Sequence, residues 1–486
     1  MINEEMQDLL QKIQRLKTET QTIEIKSAAK GSPQKLYDTL SSFSNQDDGG
    51  IIVFGVNEND DFAECGVGNP QTLQNDIANQ CLEMQPQVRP LISVYFREAD
   101  NKYFIFAEIP GMDLALRPCY YRGKGHLKGA YVRVGDHDEP MTAYEVYSYE
   151  AFRRHTDDEL RLIERADSSA LNINAVKQYL ELLKTNKPNL QNLAYNDILT
   201  LMSILKNGHP TLCSLLTFSP YPQAFVPQLC VTAIKIAGLQ IGDLDEIGQR
   251  FVDNKRIEGN LAQILEETLR FVRSNMKTGT TIDVATGKSI EQAEYPIMAI
   301  REAILNALVH RDYSIHTEGM PVQLLMFNDR LEIRNPGGLY GRISVNELGK
   351  IRSDTRNPLL ATMLETLHLT ENRYSGIPIM REECRKLGLR EPVFKDNRGE
   401  FCVIFYNEKI GKKLELANNL SASEKALLEW CRIPRSRKEI AEHLSLASVD
   451  YAFKTYVQPL IKKGLLNLTI PDKPRSSRQR YVSNIK

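Results

Sequence analysis

Apolar and polar positions alternate in three different textures along the chain. MINEEMQDLLQKIQRLKTET places Leu9, Leu10, Ile13 and Leu16 at helical spacing, which predicts an opening amphipathic helix. TIEIKSAA reads as a strand, SPQKLYDTLSSFSN as a helix, and Gln46-Asp47-Asp48-Gly49-Gly50 as a turn. Ile51 to Val56 is a short, continuous, β-branched apolar run, the mark of a buried strand. LISVYFREADNKYFIFAEIP predicts two strands joined at Ala99-Asp100-Asn101-Lys102. YVRVGDHDEP closes this block, and a polar helical stretch from about 143 to 168 leads out of it.

From 169 to 407 helices and strands alternate. INAVKQYLELL, NDILTLMSIL, residues 259–276 and PIMAIREAILNALVHRDY read as helices, and VTAIKIAG, VQLLMF and RLEIRNP as strands. The tail from 421 reads as short helices followed by two short strands. The expected fold class is multidomain α+β, with parts at 1–150, 151–410 and 420–486.

Composition narrows the function classes. The 486 residues carry 61 Lys and Arg against 62 Asp and Glu, which excludes a uniformly basic nucleic-acid coat. Any surface for phosphate must be local. No apolar run reaches the length of a membrane span, and the N-terminus lacks the apolar core and small-residue cleavage site of a signal peptide. The eight cysteines are scattered with no CxxC pair, so neither a disulfide framework nor a Cys-rich zinc site is expected. A reducing, cytoplasmic setting follows as the expectation.

Two motif matches fail on spacing. Gly287-Lys288-Ser289 resembles the end of a P-loop, but Ile282 stands where the phosphate cradle needs glycine. His310-Arg311-Asp312 resembles a kinase catalytic loop, but Thr317 occupies the place of the metal-binding Asn. REAILNALVHRDY carries more. Glu302, Asn306 and His310 stand one turn apart on one helix face, a carboxylate able to orient water beside a carboxamide able to hold Mg²⁺. A polar stripe on an amphipathic helix gives the same pattern, so both readings stay open. Arg117, Tyr120, Tyr121, Arg122, Lys124, Lys128 and Arg133 interleave cations and aromatics around glycines, which suits phosphate contact and base stacking, or a solvated basic loop.

The tail is legible from local physics. Ser421…Glu424 and Ser436…Glu439 have the capping-box pattern, and Ser448 can cap a third helix that Gly464 ends. That helix would offer Asp450, Tyr451, Lys454, Thr455 and Gln458 to a major groove, while Arg475, Arg478 and Arg480 would reach phosphate from a wing. Pro459 threatens to kink or end it. From 431 to 486 there are twelve Lys or Arg against four acids, a local bias that phosphate binding requires.

EAILNALVHRDY, NPGGL, RNPLLATML and YSGIPIM together resemble the divergent GHKL-type ATPase module of bacterial transcriptional regulators related by label to the RecG helicase. The stretch SLLTFSPYPQAFVP is similar to what precedes that module. ETQTIEIK, SSFSNQDDGGIIVFGV and RPCYYRGKGHLKGAYVRVG resemble a Schlafen AlbA-like domain, and the tail resembles a winged helix-turn-helix. The first resemblance implies a GHKL-like α/β sandwich that binds ATP and Mg²⁺. Within it Glu302 would be the water-activating base and Asn306 the Mg²⁺ ligand. Gly337 and Gly338 would form the base-side loop, and Ser375 and Gly376 the phosphate-facing loop. This sequence departs from the pattern twice: Asn335-Pro336 stand where an Asp reads the adenine amine, and Arg373-Tyr374 where a Gly opens the phosphate loop. The second resemblance implies nucleic-acid binding, with Glu19 and Glu24 where eukaryotic relatives place nuclease carboxylates and Asp60 or Asp61 as a third.

The expected protein is a DNA-binding transcriptional regulator with an ATP-binding sensor domain, a homo-oligomer off the membrane. The alternatives are an enzyme, either a GHKL-type ATPase or a metal-dependent nuclease, and a non-catalytic scaffold.

Overall fold

A computed structural model describes residues 1–244, 248–282, 289–351, 354–370, 375–397, 399–409, 421–446, 448–462, 465–469 and 479–483. It is a mixed α+β, multidomain arrangement of helices and several sheets. Near the N-terminus, Ile23–Lys26 runs parallel to Gly50–Phe54, which pairs antiparallel with Lys102–Ile109, itself paired with Leu91–Arg97. Both faces of this four-stranded sheet are covered, and that explains the unbroken apolar run at 51–54. Ile52, Phe54, Ile105 and Ala107 point toward the helices Tyr37–Ser44 and Pro70–Leu82, while Val53, Phe104 and Phe106 point toward Asn3–Leu16. The opening helix buries Met6, Leu10 and Ile13, and Leu16 turns outward at 46% exposure, so the expected apolar face is displaced by Met6 at its start.

The middle of the chain holds a six-stranded mixed sheet. Its order is Phe251–Ile257, Val231–Ile236, Val322–Met326, Arg330–Pro336, Glu400–Tyr406, Val393–Asp396. Leu324, Leu331, Ile333, Val403 and Phe405 form its inner face and pack into a core with the helices Ile173–Asn186, Leu261–Asn275, Ile297–Val309 and Pro358–Thr366.

Pro358–Thr366 is capped from outside its own sequence. Glu159 accepts the Leu359 amide at 2.8 Å and the Leu360 amide at 2.6 Å. Burial pushes the Glu159 carboxyl up from its ordinary 4.5 to about 7, against those two hydrogen bonds. A raised carboxylate pKa means the folded state holds the proton more tightly, so this contribution is full below about 4.5 and is lost as pH rises through 7. Glu159→Gln is expected to flatten the fall in stability between pH 5 and 7.5, read by urea denaturation at both pH values. Glu159→Ala strands two buried amides and should cost about 2–4 kcal/mol.

In the tail both expected capping boxes form. Ser421 accepts from Glu424 N at 3.2 Å and Ser436 from Glu439 N at 3.3 Å, and Ser448 accepts from Tyr451 N at 3.2 Å. Pro459 does not end the third helix. The helix widens at Phe453–Val457 into π-helical turns, with Gln458 N bonded to Phe453 O, and continues through Gln458–Lys462. The wider turn absorbs the missing proline N–H. Leu466–Leu468 pairs antiparallel with Tyr481–Ser483, as the two short strands require. Gly464, Arg475 and Arg478 lie outside the described residues. Among the described residues no helix is long and apolar enough to cross a membrane.

Candidate functional site

Helix Ile297–Val309 is apolar nearly all round, burying Ala299, Ile300, Ala303, Ile304, Leu305, Ala307, Leu308 and Val309. Glu302, Asn306 and, at its C-cap, His310 are its half-buried polar stripe. That stripe faces two adjoining cavities of about 770 and 750 Å³, open mouths included, and both are lined by Asn306 and His310. Burial pushes His310 down to about 4, helped by the charge of Arg356, so the ring is neutral at pH 7.

The first cavity lies against the six-stranded sheet. Ile333, Phe401 and Val403 form an apolar wall, and Gly337, Gly338, Leu339 and Tyr340 cross its mouth. Asn335 enters this wall because it shares the inward face of its strand with Leu331 and Ile333. It is 5% exposed, and its Oδ1 has no hydrogen-bond partner among the described residues. Gly337 stands at φ +101°, and a Cβ there would come within 2.6 Å of the Asp312 Cβ, so only glycine fits.

The second cavity is lined by Glu302, Asn306, Thr355, Thr370 and Gly376. Gly376 opens helix Gly376–Lys386 directly against the stripe. A Cβ on it would press on the Glu302 carboxylate and stand 3.0 Å from Asn306 Nδ2. The structure thus places Asn335, Gly337 and Gly338 on the first cavity and Glu302 and Gly376 on the second, with Asn306 lining both. Ser375 sits beside them at the N-cap without a side-chain capping bond, and Arg373 and Tyr374 lie outside the described residues. Tyr340, Ile343, Asp354 and Ile377 also line the first cavity. Ile377 comes with the YSGIPIM stretch, whereas Tyr340, Ile343 and Asp354 carry no motif and only the loop connections bring them here.

The basic loop of the N-terminal part divides in two. Arg117 and Arg133, expected at phosphate, are buried instead. Arg117 pairs with Asp47 at 2.7 Å and donates to Met112 O. Arg133 pairs with Glu24 at 2.7 Å and Asp138 at 3.0 Å, lies 3.8 Å from Glu19, and sits over the Phe43 ring. Those partners also account for the acids. Burial and the charge of Glu24 push the Glu19 carboxyl up, while Glu24 pairs with both Arg133 and Lys26. Asp61 pairs with Lys17, and among the described residues no three His, Cys, Asp or Glu gather at metal-binding distance. Asn45 clamps the loop, bonding Cys119 N and O and Tyr131 O at 2.7–3.0 Å. Arg122 and Lys124 stay exposed, and Tyr121 stacks on Tyr37 with ring centroids 3.8 Å apart.

On the tail, Tyr451, Lys454, Thr455 and Gln458 are all exposed on the third helix, whose other side buries Ala452, Val457 and Leu460. Arg480 is exposed, donating to Pro434 O at 3.2 Å.

Three segments match known families. Residues 19–142 match "Schlafen, AlbA_2", residues 319–405 match "Putative ATP-dependent DNA helicase recG C-terminal", and residues 425–482 match "Filamentation induced by cAMP protein Fic-like, C-terminal domain". The second match spans Asn335, Gly337, Gly338, Ser375 and Gly376 but begins after Glu302 and Asn306. No curated protein matches the chain. A crystal structure from Corynebacterium diphtheriae is 17% identical, covering 90% of this chain and 87% of that one, with a TM-score of 0.40. The solution structure of the N-terminal domain of a RecG-related protein from Nitrosomonas europaea is 26% identical. It covers 28% of this chain and 92% of that one, with a TM-score of 0.23.

Proposed function

We propose that this protein is a DNA-binding transcriptional regulator whose middle part senses an adenine nucleotide. The observation that carries this reading is Asn335 Oδ1, buried at the apolar wall of the first cavity with no hydrogen-bond partner among the described residues. An unsatisfied buried carbonyl costs about 1–3 kcal/mol, and a ligand amine at that point removes the cost. The exocyclic amine of adenine is such a donor, and the flat apolar wall of Ile333, Phe401 and Val403 suits its ring. Asn306 would hold Mg²⁺, and the phosphates would enter the second cavity, which Asn306 and Gly376 both line. When bound, Mg²⁺ would supply charge neutralisation for the phosphates. Glu302, one turn from Asn306, would orient water. The two family matches named for a DNA helicase and for Schlafen AlbA_2 support a nucleotide and nucleic-acid setting.

In this reading residues 1–150, 151–410 and 420–486 are separate domains: an AlbA-like domain, a GHKL-like sandwich and a winged helix. Their hydrophobic clusters, at 6–119, 163–405 and 427–481, support the division. Arg122, Lys124 and Tyr121 would meet nucleic acid through the first domain, and Tyr451, Lys454, Thr455 and Arg480 through the last. The Arg133 pairing of Glu19 and Glu24 favours a binding role over nuclease chemistry. Arg122→Ala with Lys124→Ala should weaken binding about equally for all DNA sequences and reduce the salt slope by about 2, measured by fluorescence anisotropy across salt concentrations. Unchanged affinity and slope would remove this loop from the interface. The reading of the cavity is tested by a thermal-shift series with ATP, ADP and Mg²⁺, since a ligand of the native state alone raises the midpoint. No shift with any of them refutes it.

A further inference from the structure

Asp312 and Arg356 are among the most deeply buried charges in the chain, with side chains 2% and 8% exposed and 2.6 Å apart. Neither lines the first cavity. Both grip the loop that does. Arg356 Nη2 donates to Gly338 O at 3.3 Å, and its guanidinium lies 5.1 Å from the centre of the Tyr340 ring. Asp312 N donates to Pro336 O at 3.1 Å, and Gly337 is folded so closely against the pair that a Cβ would stand 2.6 Å from Asp312 Cβ and 3.0 Å from Arg356 Nη1. The remaining oxygen of Asp312 is fixed too, since Oδ1 accepts the Ser314 amide at 2.9 Å. Burial alone would raise the Asp312 carboxyl, yet Arg356 and these hydrogen bonds hold it below the usual range.

The third partner comes from elsewhere in the chain. Tyr144, on the helix Ala143–Arg154 that follows the N-terminal sheet, donates its hydroxyl to Asp312 Oδ2 at 2.6 Å. Phe152 of the same helix meets the Tyr340 ring edge-on at 5.4 Å. One helix of the N-terminal part therefore touches both the ion pair and the loop it holds. A buried ion pair is a poor way to gain stability, because desolvation of both charges offsets their attraction. What it supplies here is direction: a fixed carbonyl and a fixed ring at the cavity mouth.

We infer that Asp312 and Arg356 are positioning residues for the Gly337–Tyr340 loop, and that Tyr144 couples nucleotide binding in the cavity to the helix Ala143–Arg154. The inference rests on the proposed adenine-nucleotide site. Binding that orders the loop would tighten the pair and, through it, the helix. By reciprocity, loosening the helix would weaken the nucleotide by the same factor.

The test uses the full chain, with Mg²⁺–ATP followed by calorimetry and hydrogen exchange. In the wild type, Mg²⁺–ATP should bind and slow exchange in residues 143–154. Tyr144→Phe removes one hydroxyl that touches no ligand. It should lower ATP affinity by roughly 5-fold or more, the low end of ordinary coupling, and abolish the ATP-dependent protection of the helix. Arg356→Lys keeps a charge beside Asp312 but loses the planar fork that also reaches Gly338 O, and should weaken ATP at least as much. If Arg356→Lys fails to fold, Tyr144→Phe alone decides. Wild-type binding with Tyr144→Phe unchanged in affinity and protection overturns the coupling and leaves the nucleotide site standing. A wild type that binds no nucleotide overturns both.

Discussion

Asn306→Ala is expected to lower the affinity for Mg²⁺–ATP by about 10- to 100-fold, the value of one hydrogen bond or ligand contact to a charged group. Alanine keeps the helix, because it is the strongest helix former and the neighbours Ala303 and Ala307 already pack as alanines. The effect should therefore appear in ligand affinity with little change in thermal midpoint. Calorimetry with and without Mg²⁺ separates the cases: a variant that loses the Mg²⁺ dependence has lost the metal contact. Glu302→Gln is the contrasting variant, since a carboxamide leaves binding in place while removing any capacity to take a proton from water.

The second large effect concerns the tail. Removing 421–486 should abolish selection of one DNA sequence from a random duplex pool, a loss of about 10³-fold or more in specific over non-specific affinity. The argument is geometric and electrostatic together. Tyr451, Lys454, Thr455 and Gln458 are exposed on one helix, and the sequence from 431 to 486 carries twelve cations against four acids. Residual binding through Arg122 and Lys124 should be indifferent to sequence and steeply salt-dependent. Selective binding that survives the deletion would move the reader elsewhere.

What could be read from the sequence follows the range of the forces involved. The boxes at Ser421 and Ser436 and the cap at Ser448 are contacts over three residues, so their pattern was visible directly. The hairpin at Arg97–Lys102 and the buried run at 51–54 likewise declare themselves through turn residues and period. Arg117 and Arg133 do not. Nothing local separates them from Arg122, and their burial depends on Asp47, 70 residues away, and Glu24, more than a hundred away. Phe251–Ile257 shows no strand period because, at the sheet edge, six of its seven residues face water. At the candidate site Glu302, Asn306 and Asn335 were legible as a motif. Asp312 ends the EAILNALVHRDY stretch and Arg356 opens RNPLLATML, but nothing local in either says that the two pair; only the fold joins them.

We propose that the cavity beside Asn335 takes an adenine nucleotide by its base. Its most direct test is Asn335→Leu, similar in size and without the orphaned carbonyl, studied by calorimetry with Mg²⁺–ATP and by urea denaturation in parallel. If the carbonyl exists for the ligand, the variant should be more stable than the wild type by about 1 kcal/mol and bind ATP at least about tenfold more weakly. A wild type that gives no heat with Mg²⁺–ATP, or an Asn335→Leu variant that binds as tightly as the wild type, would refute adenine recognition at Asn335.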